Sequence, residues 1–327
     1  MANPENSMNI SQMVLESSKK VVDEAAYVRI SKAGVEKYVT MHEAKKKHWL
    51  QTFSWIDGMA DVDTLMDIIF SFNTISFCYW GNPKWTSNVG GKLMDGSKLL
   101  LMCLRERVHQ DCNFLKPVRL MQLGYEEYID MLKGGFNLKF LEERYRLLKE
   151  LGSMVYNGYA GSYLRMIEHA EGTVQDLLGL IVSNMPWLKD EALYKEHTVF
   201  FYKRAQLLVS DIGYCLSKGG FDKLNGIDSL TACADYKIPQ ILNKLGILEY
   251  ASALNDKIKA CEEIERGSQE EIEIRSSTIM AIEMIRSRYR KQGRRVSSMN
   301  VNDDLWIMSQ SLSQKDWPYH QTQTTSY

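Results

Sequence analysis

The sequence predicts a mainly α-helical protein with a small strand-containing part near its N-terminal end. From residue 97 onward, most segments carry apolar residues three or four positions apart, the spacing of one face of an α-helix. Before them, the block "IIFSFNTISFCYWGNPKW" at 68–85 is rich in aromatic and β-branched residues and ends on Gly-Asn-Pro. This composition predicts at least one strand followed by a turn. With 327 residues, 45% of them hydrophobic, the chain can bury a large core as one domain or two closely packed ones.

The N-terminal segment 1–30 is polar and serine-rich, which predicts partial order with a helix from Met13 to Val28. Residues 31–327 are expected to form the main domain, with an α+β part at 31–115 and a helical part at 116–327. In the α+β part, "VGGKLMDG" is a second turn signal and "SKLLLMCLRERVH" has the spacing of a helix. The sequence lacks a signal-peptide pattern and an apolar run long enough to span a bilayer. We therefore expect a cytoplasmic protein, and a nuclear location is the alternative.

Five further helices are expected from the same spacing of apolar residues. They are "FLEERYRLLKELGSMVY", "AGSYLRMIEHA", "TVQDLLGLIVSNM", "FFYKRAQLLVSDIGYCLSK" and "SQEEIEIRSSTIMAIEMIRSRYRKQG". The last begins with Ser268 and Glu271, which match a capping box. Glu271 can also pair with Arg275 one turn further along the helix.

Charge and motif content exclude several classes of function. Forty basic and 41 acidic residues leave a formal net charge of -1, which gives no overall attraction for nucleic acid or an anionic membrane. The six cysteines form no C-x-x-C pair or His/Cys cluster, so we expect reduced thiols and no metal site. The motifs of phosphate-binding loops, dinucleotide folds, serine hydrolases and zinc proteases are missing, so no cofactor is predicted. The remaining choices are side-chain acid–base or electrostatic chemistry, or no catalysis.

The stretch "DSLTACADYKIPQILNKLG" at 228–246 places a carboxylate, Asp235, among small apolar residues. Pro239 disfavours a continuous helix. The pattern therefore predicts a helix capped by Asp228, a corner containing Asp235, and a second helix starting at Pro239 and ending at Gly246. Backbone N–H groups at the start of the second helix can fix a carboxylate. Asp235 is then either a helix cap or a catalytic anion, and these residues by themselves favour the cap.

Two further stretches combine polar and apolar residues. In "FFYKRAQLLVSD" at 200–211, Lys203 and Arg204 adjoin aromatic residues, so they either cover apolar surface with their stems or bring charge to a site. In "NVNDDLWIM" at 300–308, polar groups precede Leu305 and Trp306, which is typical of a helix N-cap with an aromatic anchor.

Taken together and in this order, these segments resemble the queuosine salvage protein family, the queuosine 5′-phosphate N-glycosylases. The most specific pieces are "FYKRAQLLVSD" at 201–211, "LTACADYKIPQIL" at 230–242 and "EIEIRSSTIMAIE" at 271–283. Weaker pieces are "NTISFCYW" at 73–80, "GSYLRMIEHA" at 161–170, "NDDLW" at 302–306 and "PYHQTQTTSY" at 318–327. The resemblance runs from about His48 to the C-terminus. It implies a helical architecture like that of the helical DNA glycosylases, with a small strand-containing N-terminal part.

The resemblance also implies a role for the acid. In this family the acid of the "ADY-basic-x-P-Q" motif is the catalytic carboxylate, and Asp235 matches it. The implied reaction is hydrolysis of the N-glycosidic bond of queuosine 5′-phosphate, which releases queuine for reuse in transfer RNA modification. A carboxylate beside the ribose can stabilise the positive charge that develops there or orient the attacking water. No metal or cofactor is implied.

The residues implied to bind the substrate are spread along the chain: His48, Asn73, Lys203, Cys233, Tyr236, Lys237, Asn302 and Trp306. His42-Glu43 is a competing match for the region of His48. The sequence departs from the family pattern at several of these positions. Asn73 and Asn302 stand where the family usually has aspartate, and Ser76 stands where it has asparagine. Lys237 stands where arginine is usual, and Gln321 and Gln323 stand where arginines are common. These changes of charge bear on how the cationic side chain of queuine, or the 5′-phosphate, is held.

Two other functions remain compatible with the sequence. One is an N-glycosylase for another modified purine nucleotide or a nucleic-acid base, although the balanced charge argues against a polynucleotide substrate. The other is a homologue that binds queuine or its nucleotide without turnover. The expected partner is a small-molecule nucleotide, with no membrane and no stable nucleic-acid complex.

Overall fold

The computed structural model describes residues 8–57, 61–220 and 224–327. Within these ranges the protein has fifteen α-helices and six short strands, which confirms the prediction of a mainly α-helical fold. The strands form three separate antiparallel pairs, β1 with β6, β2 with β3 and β4 with β5. In this described part of the chain, no helix is both long enough and apolar enough to cross a bilayer.

The helices are α1 Ile10–Asp23, α2 Lys32–Met41, α3 Ser54–Asp57, α4 Val62–Ile75, α5 Gly96–Gln110, α6 Pro117–Met121, α7 Tyr125–Met131, α8 Leu141–Tyr159, α9 Tyr163–Glu168, α10 Val174–Asn184, α11 Lys203–Lys218, α12 Lys237–Lys244, α13 Ser252–Lys259, α14 Gln269–Lys291 and α15 Ser298–Ser309. The strands are β1 Val28–Ile30, β2 Thr86–Val89, β3 Lys92–Asp95, β4 Glu191–Tyr194, β5 His197–Phe200 and β6 Leu248–Tyr250. Single 3-10 turns lie at Trp49–Thr52, Pro186–Leu188 and Ile227–Ser229.

The chain forms two compact units, each assembled from separate stretches. The first unit contains the described residues within 8–52, 190–206 and 226–323, and the second contains those within 53–189, 207–225 and 324–327. The division of the sequence at residues 30 and 115 stays a prediction.

Helix α14 is the centre of the first unit and packs against α1, α2, α12 and α15. Its N-cap, Ser268, accepts a hydrogen bond from the backbone N–H of Glu271 at 3.2 Å, as predicted. The Glu271 carboxylate, however, accepts from the N–H of Gly267 at 3.1 Å, one residue earlier than in a capping box. The predicted pair of Glu271 with Arg275 is present at 3.5 Å. Both side chains are buried, so the polar face of α14 needs partners inside the protein.

The second unit is built around α4 and α8, with α5, α6 and α9 against them. The strand predicted within 68–85 is wrong, because α4 continues to Ile75 and the first strand of this region begins at Thr86. Nearly every residue of α4 is buried, so its β-branched and aromatic side chains reflect a helix enclosed on all sides. The second turn signal is confirmed: Gly90 and Gly91, with φ of +56° and +79°, join β2 to β3.

The five helices expected from apolar spacing are confirmed as α8, α9, α10, α11 and α14. The N-terminal helix is also present, but α1 starts three residues earlier than predicted, at Ile10, and ends at Asp23. Asn9 and Gln12 form its capping box, which sets the start. Val28 instead begins β1, where it pairs with Tyr250 of β6.

Helix α8 packs on α6 at a point where only glycine fits. A Cβ atom at Gly152 would lie 2.5 Å from the carbonyl oxygen of Pro117 and 2.8 Å from the Cβ atom of Leu120. Gly152→Ala is therefore expected to lower the free energy of unfolding by about 1–3 kcal/mol, because α6 and α8 must move apart. Urea or thermal unfolding measures this change.

The control lies on the same helix. A Cβ atom at Gly158 meets nothing within 4 Å. Gly158→Ala is expected to stabilise the protein by up to about 1 kcal/mol through helix propensity. Equal effects of the two substitutions would contradict close packing at Gly152.

Candidate active site around Asp235

Asp235 lies at the end of an extended, buried segment, immediately before α12. One carboxylate oxygen, Oδ1, accepts hydrogen bonds from the backbone N–H groups of Lys237 at 2.8 Å and Ile238 at 2.9 Å. The predicted corner is thus confirmed, and Gly246 ends the helix with φ of +69°. Asp235 therefore caps α12, and any catalytic role would use the carboxylate in the orientation that this cap fixes. The residue is 9% exposed.

Two details of the predicted helix–corner–helix are wrong. Before Asp235 there is no helix among the described residues from 224 onward, only the single turn Ile227–Ser229 and an extended stretch. The second helix, α12, starts at Lys237, so Pro239 is its third residue and not its first. Proline is tolerated there because the first N–H groups of a helix have no intrahelical partner.

The segment from Leu230 to Ala234 can be buried without a strand partner because side chains from three helices satisfy its backbone. Gln206 of α11 accepts from the N–H of Thr231 at 2.8 Å. Asn302 of α15 accepts from the N–H of Cys233 at 3.0 Å. Arg275 of α14 donates from Nε to the carbonyl oxygen of Ala234 at 3.2 Å. These contacts fix the approach of the chain to Asp235.

Within the described part of the chain, hydrogen bonds hold the carboxylate of Asp235 on one side only. Among the described residues, its hydrogen bonds end on Oδ1, so Oδ2 is the oxygen that can face a ligand or a water molecule. The N–H groups at the start of α12 stabilise negative charge on the carboxylate. The arrangement suits an acid that acts as an anion and stabilises positive charge on a bound group.

Three of the predicted binding residues lie together in the first unit. The Cys233 thiol is 3.5 Å from the carbonyl oxygen of Lys203, and the Cys233 N–H binds Asn302. Lys203 begins α11, and its backbone N–H donates to a carboxylate oxygen of Asp190 at 3.2 Å. The Lys203 side chain is buried. It therefore does not cover apolar surface with its stem while its charge stays in water, which was one of the two interpretations of the sequence.

Asn302 and Trp306 belong to α15, whose N-cap is Ser297, so the N-cap predicted within "NVNDDLWIM" is wrong. Asn302 donates to the carboxylate of Asp303 at 3.1 Å, and the other oxygen of Asp303 accepts from the N–H of Trp49 at 3.0 Å. The rings of Trp49 and Trp306 meet edge to face, with centroids 5.5 Å apart. Asp303 thus joins Asn302 to the turn that follows His48.

His48 is half-buried, and its ring nitrogen Nδ1 accepts from the N–H of Leu50 at 3.2 Å. The competing residue, His42, stacks on Tyr38 with ring centroids 4.5 Å apart, and its carbonyl accepts from the hydroxyl of Tyr289 at 3.0 Å. His42 is thus held by aromatic packing at the end of α2, whereas His48 is tied through Trp49 to α15.

Burial raises the pKa of Asp303 to about 7, although the hydrogen bonds from Asn302 and Trp49 oppose this shift. The unfolded chain would release this proton near pH 3.8. Between these values the folded protein binds the proton and the unfolded chain does not, so this group's contribution to stability falls as pH rises towards 7 and is constant above.

Asp303→Asn removes this titration. The unfolding free energy of wild type minus that of Asp303→Asn is expected to decrease as pH rises from about 4 to about 7, by at most ~1.4 kcal/mol per pH unit. Urea unfolding at a series of pH values measures the difference. Gly158→Ala, which changes no titrating group, serves as the control. A difference for Asp303→Asn that is flat across this range would contradict the raised pKa.

Tyr236 and Lys237 both meet Tyr319 from the C-terminal segment. The rings of Tyr236 and Tyr319 have centroids 4.6 Å apart, and the Lys237 ammonium lies 5.4 Å from the centre of the Tyr319 ring. The Lys237 ammonium also donates to Gln240 at 2.7 Å.

Nearby in the sequence, Gln323 donates to both carboxylate oxygens of Glu263 at 2.9 and 2.8 Å. The backbone of Gln321 accepts from the N–H of Ile264 at 2.8 Å. The Gln323 side chain therefore serves a contact with the segment before α14, whereas the hydrogen bond of Gln321 uses only its backbone and does not explain the departure at that position.

Asn73 and Ser76 belong to the second unit. Asn73 donates to a carboxylate oxygen of Asp211 at 2.8 Å and to the carbonyl of Ile69 at 3.1 Å. Ser76 accepts from the hydroxyl of Tyr79 at 3.0 Å. The amide of Asn73 thus donates to Asp211, whereas an aspartate at position 73 would place two carboxylates side by side, and these would repel each other.

Four residues that shape the site are not among the site residues that the sequence predicted: Asp190, Gln206, Arg275 and Asp303. Arg275 and Gln206 stand at buried positions of helices where an apolar residue is expected, and a polar residue at such a position is the signal that could have found them. Asp303 follows Asn302 directly in the motif already singled out. Asp190 lies in a short polar segment before β4 and carries no such signal.

The fold and the site define a mainly helical protein with a carboxylate fixed at a helix start, at the end of a buried segment whose backbone is bonded by side chains of three helices. Residues 58–327 match the family model described as Queuosine salvage protein. The chain belongs to the queuosine salvage protein family, as its motifs predicted.

Similar proteins named queuosine 5′-phosphate N-glycosylase/hydrolase occur in distant organisms. The protein from Sphaerobacter thermophilus is 32% identical over 317 residues, which cover 96% of this chain and 97% of that protein. The protein from Dictyostelium discoideum is 28% identical, with 98% of this chain and 100% of that protein covered. The protein from Mus musculus is 29% identical, with 79% of this chain and 81% of that protein covered. With the first two proteins, the similarity therefore extends over almost the whole length.

Proposed function

We propose that this protein hydrolyses the N-glycosidic bond of queuosine 5′-phosphate to give queuine and ribose 5-phosphate. The observation that carries the proposal is the carboxylate of Asp235, fixed at a helix start in a chain of this family. The relatives are named N-glycosylase/hydrolases for the same nucleotide, over nearly the full length of the chain. The protein is accordingly an enzyme of N-glycosidic bond cleavage.

In the proposed reaction, Asp235 acts as an anion. The bond between the anomeric carbon and the base breaks, and its electron pair leaves with the base. A water oxygen bonds to the anomeric carbon, and a water proton ends on the base. Positive charge develops on the ribose during this exchange, and the oxygen Oδ2 stabilises it or accepts a hydrogen bond from the attacking water.

The leaving base makes a second demand on the site. Queuine is a 7-deazaguanine, so it lacks the ring nitrogen whose protonation helps ordinary purines to depart. Hydrogen bonds to the base must therefore stabilise its developing negative charge. We assign this role to the group around Cys233, Tyr236 and Asn302.

The remaining binding residues are assigned by their chemistry. Trp306 and His48 offer ring surfaces and a ring nitrogen, and Lys203 and Lys237 offer positive charge for the phosphate. Asn73 is proposed as a substrate-binding residue on the family resemblance. The product queuine would serve transfer RNA modification, and we propose a cytoplasmic, and also nuclear, place for the reaction.

The test is to incubate the purified protein with queuosine 5′-phosphate and follow free queuine by chromatography. Unphosphorylated queuosine and guanosine 5′-monophosphate are run in parallel. Release of queuine from the phosphate at the highest kcat/KM, with little cleavage of guanosine 5′-monophosphate, is the expected result. Tight binding of the nucleotide without release would contradict the proposal and favour a binding protein. Preferential cleavage of another nucleotide would favour a different N-glycosylase.

A further inference from the structure

We propose that Arg275, held by Asp190, is a positioning residue that fixes the peptide unit carrying Asp235 and joins it to the start of α11 at Lys203. This inference rests on the proposed function, because it assigns a partner to the peptide unit that carries the proposed catalytic residue. Arg275 and Asp190 belong to the first unit and do not themselves need to touch the substrate.

The contact with Asp190 is of the strongest type that a side chain pair can make. Both terminal nitrogens of Arg275 donate to Asp190, at 2.9 Å to Oδ1 and 2.5 Å to Oδ2. Each side chain is less than 5% exposed. A bidentate guanidinium–carboxylate pair fixes both orientation and distance, and burial removes competition from water.

The third nitrogen of the same guanidinium makes the contact that matters for the site. Nε donates to the carbonyl oxygen of Ala234 at 3.2 Å. That carbonyl belongs to the peptide unit that also contains the backbone nitrogen of Asp235. The carboxylate of Asp235 is fixed at its other end by the N–H groups of Lys237 and Ile238. Arg275 and α12 thus hold Asp235 at both its backbone and its side chain.

Asp190 extends the connection to α11. Its Oδ2 accepts from the N–H of Lys203 at 3.2 Å, and its carbonyl accepts from the N–H of Phe201 at 2.9 Å. The guanidinium carbon of Arg275 lies 3.9 Å from the centre of the Phe201 ring, so the planar group is also held by stacking. One buried ion pair therefore connects α14, the segment before Asp235 and the start of α11.

The charges around Arg275 are arranged to keep it in place. Glu271 lies 3.5 Å from one terminal nitrogen and adds a second negative charge. Burial, and then the positive charge of Arg275, lower the pKa of His320 to about 3. His320 is therefore neutral at pH 7 and does not repel the guanidinium. Two acids therefore neutralise the buried guanidinium, and His320 adds no second positive charge beside it.

Arg275→Lys tests the proposal because the lysine keeps a positive charge beside Asp190. Its single ammonium cannot bond both carboxylate oxygens of Asp190 and the carbonyl of Ala234 in the geometry of the guanidinium. With queuosine 5′-phosphate as substrate, kcat is expected to fall about 10- to 100-fold. The dissociation constant of the nucleotide, measured in an Asp235→Asn background, is expected to change less than about threefold. In amide hydrogen exchange, the N–H groups of Lys237 and Ile238 are expected to exchange faster than in wild type.

Glu273→Gln is the matched control on the same helix. Glu273 is also fully buried, and it accepts from the N–H groups of Ala26, Tyr27 and Val28 and from the hydroxyl of Tyr194. Its loss is expected to lower stability while leaving kcat of the folded protein, and exchange at Lys237 and Ile238, unchanged.

The outcomes separate this inference from the proposed function. If wild type releases no queuine, the proposed function fails, and the exchange measurement still decides whether Arg275 fixes Asp235. If wild type is active and Arg275→Lys matches it in kcat and exchange, the inference alone is overturned. Equal losses of kcat in Arg275→Lys and Glu273→Gln would likewise indicate a merely structural role. Should Arg275→Lys not fold, Asp190→Asn is measured by the same criteria, since asparagine has only one acceptor oxygen and cannot form the bidentate pair with both terminal nitrogens.

Discussion

Asp235→Asn is expected to fold like the wild type and to lose about a thousandfold or more in kcat for queuine release. The amide oxygen of asparagine can still accept from the N–H groups of Lys237 and Ile238, so the start of α12 keeps its cap. The negative charge proposed to stabilise the ribose cation is removed, and electrostatic groups of this kind contribute about 100- to 1000-fold or more. Steady-state kinetics and unfolding curves on the same samples measure both effects.

Asp235→Ala separates the cap from the charge. It loses both, so it is expected to be as inactive as Asp235→Asn and less stable by roughly 1 kcal/mol. An Asp235→Asn protein that keeps most of its activity would mean that Asp235 is only a cap, which is the alternative that the sequence left open. A loss of activity accompanied by unfolding in both variants would contradict the expectation that the two roles are separable.

Arg144→Met is expected to destabilise the protein by about 3 kcal/mol or more, because several buried hydrogen bonds are lost together. Arg144 lies fully buried in α8 of the second unit. Its guanidinium donates to the carbonyl oxygens of Ile75, Phe77 and Cys78, and its charge lies 4.1 Å from the centre of the Phe77 ring. Methionine fills similar space but leaves these buried carbonyls without this donor. Urea unfolding measures the loss.

Arg146→Met is the control, two residues further along the same helix. Arg146 is more than half exposed and pairs with Glu143 and Glu150 on the surface. Exposed pairs of this kind contribute little, so the substitution is expected to change stability by less than about 1 kcal/mol. If the two variants lost similar stability, Arg144 could not be the group that holds the segment after α4.

Arg144 also shows why one element was predicted wrongly. The block 68–85 has the composition of a strand, and its residues just after Ile75 lie outside the helix, but their carbonyls are bonded by a side chain and not by a neighbouring strand. A composition rich in β-branched and aromatic residues indicates that a segment is buried and has restricted side chains. It does not report which group bonds its backbone, because Arg144 lies 66 to 69 residues away in the sequence.

The same reasoning applies to the stretch before Asp235. The proline correctly predicted a corner at Asp235 followed by a helix, although it placed the helix start two residues too late, since a corner follows from local backbone sterics. The helix predicted before the break is an extended segment, because Gln206, Arg275 and Asn302 bond its backbone from three helices. Local signals could not reveal these three donors and acceptors.

The sequence by itself determined the helical class, most helices, the family and the corner that contains Asp235, because each depends on periodicity, local sterics or a contiguous motif. Only the tertiary structure decided that Oδ1 of Asp235 is occupied by α12, that Asp303 is buried with a raised pKa, and that Arg275 bonds both Asp190 and Ala234. These properties arise from side chains far apart in the sequence, whose burial and hydrogen bonds exist only once the helices have packed.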